Sequence, residues 1–93
     1  MEFEWDPKKA ADNLAKHGVS FQEATTVFDD LLSITVPDPG HSVAENRFII
    51  VGMSLRGRLL IVSHVERGDR IRLISARELT RTERNAYEEG NYT

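Results

Sequence analysis

The sequence has no cysteine, which removes disulfides and thiolate metal sites from any account of its stability. Its longest apolar runs, Phe48–Val51 and Leu59–Val62, are far too short to span a bilayer, so no membrane role is expected. The six glycines stand singly and build no phosphate-cradling loop. Ser54, Ser63 and Ser75 lack the flanking glycines of a nucleophile elbow. His17, His41 and His64 fall at no metal-ligand spacing, and no metal or other cofactor is expected. The opening Met1–Trp5 is acidic and has neither the basic nor the apolar region of a secretion signal, which points to the cytoplasm. Ninety-three residues suit one domain, 1–93, with a single modest core and no space for a second lobe.

Lysine is also missing after position 16. Lys8, Lys9 and Lys16 are the only three, and every later basic residue is arginine. Residues 1–46 carry nine acids against those lysines, −6, whereas residues 47–84 carry nine arginines against four acids, +5. A formal total of −3 therefore hides a basic half. Arginine presents a planar fork of donors matched to phosphate, which lysine does not. A segregated charge map suits a polyanion-binding surface. Arginines that merely solvate strands and pair with local acids produce the same map, and charge alone does not separate the two.

Phe3–Trp5 alternates and suits a short edge strand. Asp6 as N-cap and Pro7 at the first helical position predict a helix running to Lys16 or His17, closed by Gly18. Ala10, Ala11 and Leu14 are its expected buried stripe. Ser20-Phe21-Gln22-Glu23 has capping-box form and predicts a second helix over 21–30, burying Phe21, Ala24, Val27 and Phe28. The two helices form an N-terminal helical hairpin. Strands are expected over 32–36, 47–54, 59–62 and 70–77, with a polar loop over 37–46. The unbroken apolar run 59–62 marks a central strand covered on both faces. Thr80-Arg81-Thr82-Glu83 is a further capping box and predicts a last helix over 81–89. The order indicates α+β architecture, an antiparallel sheet with the hairpin and the C-terminal helix packed on it.

If Gly68 and Asp69 form a two-residue loop, Arg67 opposes Arg70 and Val65 opposes Arg72. Arg67, Arg70 and Arg72 then share one face. Opposed like charges cost up to about 1 kcal/mol. An anionic ligand or nearby carboxylates must offset them.

Phe3-Glu4-Trp5-Asp6, Lys9, Asn13 and Lys16-His17-Gly18-Val19-Ser20-Phe21 together resemble the opening of the BrnT ribonuclease toxins. The likeness continues through Asp38-Pro39-Gly40-His41-Ser42, Glu45-Asn46-Arg47 and the run Arg67–Arg77. It ends at Thr80-Arg81-Thr82-Glu83-Arg84 with Tyr87 and so spans about residues 3–87. Gly40 departs from the family's form, where a second acid is expected. The resemblance implies a RelE-like fold and metal-independent endoribonuclease activity that arrests growth. It also implies neutralisation by a cognate ribbon-helix-helix, BrnA-like antitoxin in a 2:2 complex.

Such cleavage uses the substrate's 2′-hydroxyl as nucleophile and needs a base, an acid and cations around the phosphate. Arg67, Arg72 and Arg77 are the candidate clamp. Arg77 has the opposite strand parity to Arg72, so the three meet only if the strand bends or ends. Lys16 and His17 are candidates for proton transfer, since imidazole titrates near neutrality and a helix C-terminus favours its protonated form. The plain alternative is that both simply complement the helix dipole. Glu45 and Arg47 form a second acid–cation pair beside the loop, and Trp5, Lys9 and Arg70 are candidate RNA contacts. Trp5 equally suits anchoring of the first helix, His41 a loop, and His64 a structural imidazole. The alternative function is a non-catalytic module whose basic sheet docks an acidic protein or nucleic acid.

Overall fold

The computed structural model describes residues 1–38, 40 and 46–90. Asp6 opens α1 (Pro7–His17) by accepting the Lys8 N–H at 2.8 Å, and Gly18 closes it in the left-handed region at φ 69°. The expected second helix is shorter. Residues Phe21–Thr25 form α2, which then tightens into a 3-10 turn over Thr26–Asp29. Thr25 and Thr26 turn their hydroxyls back onto the carbonyls of Gln22 and Glu23, both at 2.7 Å, which disfavours further α-helix. Where two comparable helices are expected, a three-turn helix is followed by little more than one turn.

Five strands form one sheet: β1 (Glu2–Glu4), β2 (Ile34–Pro37), β3 (Arg47–Met53), β4 (Leu59–Arg67) and β5 (Arg70–Glu78), in the order β1-β5-β4-β3-β2. The sheet is mixed. β2 to β5 are antiparallel neighbours, but β1 runs parallel to β5, which corrects the all-antiparallel expectation. Alternation in Phe3–Trp5 marked an edge strand without carrying its direction, because direction depends on a partner some seventy residues away. β4 lies in the middle, and its apolar run is covered on both faces as expected. The Gly68–Asp69 hairpin also has its expected register, Arg67 against Arg70 and Val65 against Arg72. Leu32 lies outside β2, in a turn where Ser33 N–H reaches Asp30 O at 3.0 Å. The last helix, α3 (Arg81–Glu88), has both hydrogen bonds of its capping box.

One core cluster joins α1 and α2 to the sheet through Val19, Phe21, Ala24, Val27, Ile50, Leu60, Val62, Ile71, Leu73 and Ala76. A smaller one, Val51, Leu59 and Leu79 with Ile49, Ile61 and Tyr87, lies on the other face under α3. The buried face of α1 differs from the expected stripe. Ala10 is half-buried, whereas Ala11 and Leu14 are exposed, and the buried residue is Asn13. Its side-chain amide donates to Ala76 O at 2.8 Å and Val19 O at 2.9 Å, and its oxygen accepts Ala76 N–H at 3.0 Å. Gly52 gives the 3-10 turn close approach to β3, since a Cβ there would lie 2.9 Å from Ser33 Cβ. Among the described residues no helix is long and apolar enough to cross a membrane.

Asn13→Ala should cost about 2–4 kcal/mol, because the Ala76 and Val19 backbone groups lose their partner in the interior. Urea unfolding checks this through a lower midpoint at unchanged slope. A loss below about 0.5 kcal/mol, the scale of an ordinary surface change, would contradict it.

Candidate functional site

Strand β5 breaks its own alternation. Ile71 and Leu73 point into the core under α1 and α2, and so does Ala76. The even-odd rule fails between them because Ser63 faces Ser75 while His64 faces Leu73, which leaves Ile74 unopposed as a β-bulge. Without the bulge Arg77 would follow Leu73 into the core. With it, Arg77 joins Arg70 and Arg72 on the opposite face. The parity conflict between Arg72 and Arg77 is thereby resolved in the strand itself.

That face has a readable grid. Arg67 and Arg70 form one cross-strand row, and Arg47, Val65 and Arg72 form the next. Ile49, Ser63 and Ser75 follow, then Val51, Ile61 and Arg77 where α3 begins to cover the sheet. β1 adds Glu2 beside Arg70 and Glu4 beside Arg72. Glu4 accepts from Arg72 at 3.0 Å and from Arg70 at 3.4 Å. The Arg72 bond, aided by Arg70, holds the Glu4 carboxyl below its ordinary value against the effect of burial. Arg77 is committed elsewhere: its two terminal nitrogens reach the two Glu83 oxygens at 2.8 and 3.0 Å, and one also reaches Glu78 O at 3.1 Å. Its fork is filled, and it ties α3 to β5. Arg47 is half-buried, and its Nε, shielded from solvent, has no hydrogen-bond partner among the described residues.

Lys9, Lys16 and His17 are brought together in a different place. With Asp12, Asn13, Ile74 and Ser75 they line an open hollow of about 200 Å³ between α1 and the outer edge of β5, beyond the reach of β1. Ser75 belongs both to this hollow and to the arginine face, so the two cationic groups share a border. Trp5 lies on the core side, its ring edge-on to Phe21 at 5.9 Å, which matches the anchoring alternative. His64 is buried between the Phe28 and Phe48 rings, and that burial lowers the pKa of its imidazole, opposed by the Val62 carbonyl at 3.4 Å and then by Glu66 at 3.8 Å. His41 and Glu45 lie outside the described residues, so the Glu45–Arg47 pair has no described geometry. Among the described residues no group of metal-binding side chains is clustered.

Sequence reasoning missed two carboxylates. Glu4 becomes visible only with the β1–β5 register. In sequence Glu23 reads as half of a capping box, and Ser20 does accept its N–H at 3.0 Å. Its buried carboxylate instead pairs with Arg58, which donates Nε–H at 2.9 Å, and with the Ser54 hydroxyl at 2.7 Å. Arg58 also donates to Gly18 O at 3.0 Å, locking α1, α2 and the β3–β4 turn together.

The profile of the family described as "Ribonuclease toxin, BrnT, of type II toxin-antitoxin system" matches residues 5–83. The chain belongs to the BrnT family. A solved structure of the Brucella abortus BrnT ribonuclease toxin, determined at 1.1 Å, superimposes on this BrnT-family chain with a TM-score of 0.70. The two are 24% identical, over 87% of this chain and 99% of that one, a likeness that establishes the shared fold. No curated protein matches the chain.

Glu83 gives this BrnT-family fold an acid-sensitive element, since Arg77 first of all, with Thr80, pulls its carboxyl from 4.5 to about 2. A depressed folded-state value stabilises above the ordinary carboxylate range, and that contribution is lost as pH falls. The stability gap between wild type and Glu83→Gln should stay constant from neutrality down to about pH 5 and close between about 4.5 and 2. Chemical denaturation across pH measures it. A gap that persists at the acid end contradicts the assignment.

Proposed function

We propose that this chain is an RNA-cleaving toxin, a metal-independent endoribonuclease of RelE-like fold acting in the cytoplasm. The observation that carries the reading is the β3–β4–β5 register, which gathers Arg47, Arg67, Arg70 and Arg72 on one sheet face, where Arg70 and Arg72 share the single carboxylate of Glu4. A scissile phosphate on that face would receive guanidinium donors as its charge grows in the transition state. The substrate's 2′-oxygen attacks phosphorus, the bond to the 5′-oxygen breaks, and a 2′,3′-cyclic phosphate remains.

In this reading Arg67, Arg72 and Arg47 hold the non-bridging oxygens and Arg70 steers the strand. Arg77 contributes by seating α3. His17, supported by Lys16 and by the α1 C-terminus, gives a proton to the departing 5′-oxygen. Glu45, next in sequence but one to Arg47, is the candidate acceptor of the 2′ proton. Lys9 follows the RNA backbone along the hollow, and Trp5 supports α1. The cognate antitoxin is a BrnA-like ribbon-helix-helix protein that neutralises the toxin in a 2:2 complex.

A second reading, a binding module without catalysis, draws on the filled fork of Arg77 and the sharing of Arg70 and Arg72 by one carboxylate. The two separate in a cleavage assay on short single-stranded RNA in the presence of EDTA. Wild type should cut, and Arg67→Ala, Arg72→Ala and Arg47→Ala should each lower kcat by roughly 10²-fold or more with the fold intact by circular dichroism. Undiminished cutting by all three removes the arginine mechanism. Growth arrest by wild type without any cutting favours the binding module.

A further inference from the structure

Two serines lie opposite each other in the middle of the sheet, and the fold makes no use of their hydroxyls. Strand interiors favour β-branched and aromatic side chains. The row Ile49, Ser63 and Ser75 instead sets two small polar groups side by side on β4 and β5, between the arginine rows and the part of the face under α3. Both serines are half-buried, and neither hydroxyl has a hydrogen-bond partner among the described residues.

Ser75 lies between two cationic groups. On one side is the row of Arg47, Val65 and Arg72, two residues further along β4 and so roughly 7 Å away at strand rise. On the other is the hollow of Lys9, Lys16 and His17. Its one acid, Asp12, is already met by Lys8 at 3.2 Å, whereas Lys9 and Lys16 meet no carboxylate among the described residues. Each side therefore suits an anion. Successive phosphates of a nucleic acid are joined through a ribose. A strand with one phosphate at Arg72 and the following one in the hollow lays the sugar between them over Ser75. His17 sets the direction, because the 5′-oxygen that takes its proton belongs to the nucleotide on the 3′ side of the cut. The sugar over Ser75 is then that of the leaving nucleotide, and its 2′-hydroxyl is not the nucleophile.

Resting on the ribonuclease reading above, we infer that Ser75 binds the ribose on the 3′ side of the scissile phosphate through that sugar's 2′-hydroxyl. A serine hydroxyl both donates and accepts, and so does a 2′-hydroxyl, so the two are complementary in either sense. The contact reads the sugar and is blind to the base. It links the arginine face to the hollow through one nucleotide, which gives the two separate cationic groups a common ligand. The substrate is an unpaired RNA strand that continues past the cut, with a ribose and a further phosphate on its 3′ side.

The test uses the full chain and a single-stranded RNA whose cut site has been mapped, remade with one deoxyribose immediately 3′ to the cut. That change leaves the attacking hydroxyl and the departing oxygen in place. In wild type it should lower kcat/KM about 3- to 10-fold, the scale of one neutral hydrogen bond. Ser75→Ala should lower kcat/KM on the all-ribose strand by a similar factor and lose nothing more from the deoxyribose. Ser75→Thr keeps a hydroxyl on a strand-favouring residue and should restore the discrimination between the two substrates.

A wild type indifferent to the deoxyribose overturns the inference and leaves the ribonuclease reading standing. So does a deoxyribose penalty that is the same in Ser75→Ala as in wild type. If wild type never cuts RNA, the ribonuclease reading fails by itself, and the sugar contact is then read from binding. Fluorescence anisotropy with labelled RNA and DNA of one sequence measures it. An RNA preference of about threefold or more in wild type that Ser75→Ala abolishes upholds the contact. No preference, or one that Ser75→Ala keeps, overturns it.

Discussion

The amide of Asn13 substitutes for a strand that is not there. β1 covers β5 only as far as Arg72, so the edge groups of Ala76 face α1 with no sheet partner. One planar side chain supplies both a donor and an acceptor to that residue and still reaches Val19 O. A buried edge without such a partner would forfeit two hydrogen bonds in the interior. The contact falls two residues beyond the bulge at Ile74, and with it α1 takes its place beside β5. The hollow that collects Lys9, Lys16 and His17 is the space left around that docking point. The position of every proposed functional group on α1 and β5 therefore traces back to this pair.

The segregated charge map has a double meaning. Part of it is internal accounting: Glu4 from the acidic half meets Arg70 and Arg72, and Glu23 meets Arg58 with Arg56 at 3.8 Å. Arg77 is answered within its own half by Glu83. The arginines that solvate and pair are thus real, and both alternatives raised by composition apply to different residues. Glu23 gives both its oxygens to Arg58 and Glu83 both of its own to Arg77, whereas Glu4 gives one oxygen to Arg72 at 3.0 Å and the other to Arg70 at 3.4 Å. It tempers the mutual repulsion of Arg70 and Arg72.

Local chemistry was legible in the sequence. Asp6, Ser20 and Thr80 cap helices as their neighbours predict, Gly18 ends α1, and the two-residue loop at Gly68 fixes the pairing of Arg67 with Arg70. These depend on residues within a few positions of one another. Failures came wherever a partner was distant. Leu14 and Ala11 read as core because apolar character was the only available cue, while Asn13 is buried for a bond formed across 63 positions. The bulge is invisible to alternation because alternation assumes it away. Once Ile74 is skipped, the pattern Ile71, Leu73, Ala76 agrees with a single buried face. The candidate site divides in the same manner: the hairpin groups Arg67, Arg70 and Arg72 as expected, while Lys16 and His17 line a separate hollow whose place depends on how α1 docks beside β5.

Strand β1 is made first and finds its partner last. Glu4 and Arg72 are separated by 68 positions, and no shorter nascent chain contains both. At roughly 5–20 residues per second, several seconds of synthesis pass between them. Until then the later arginines have no acidic neighbour from the N-terminus, and β5 has an open flank along its first residues. The arginine face is consequently the final part of the sheet to be assembled as the polypeptide leaves the ribosome, and an incomplete chain cannot display it in finished form.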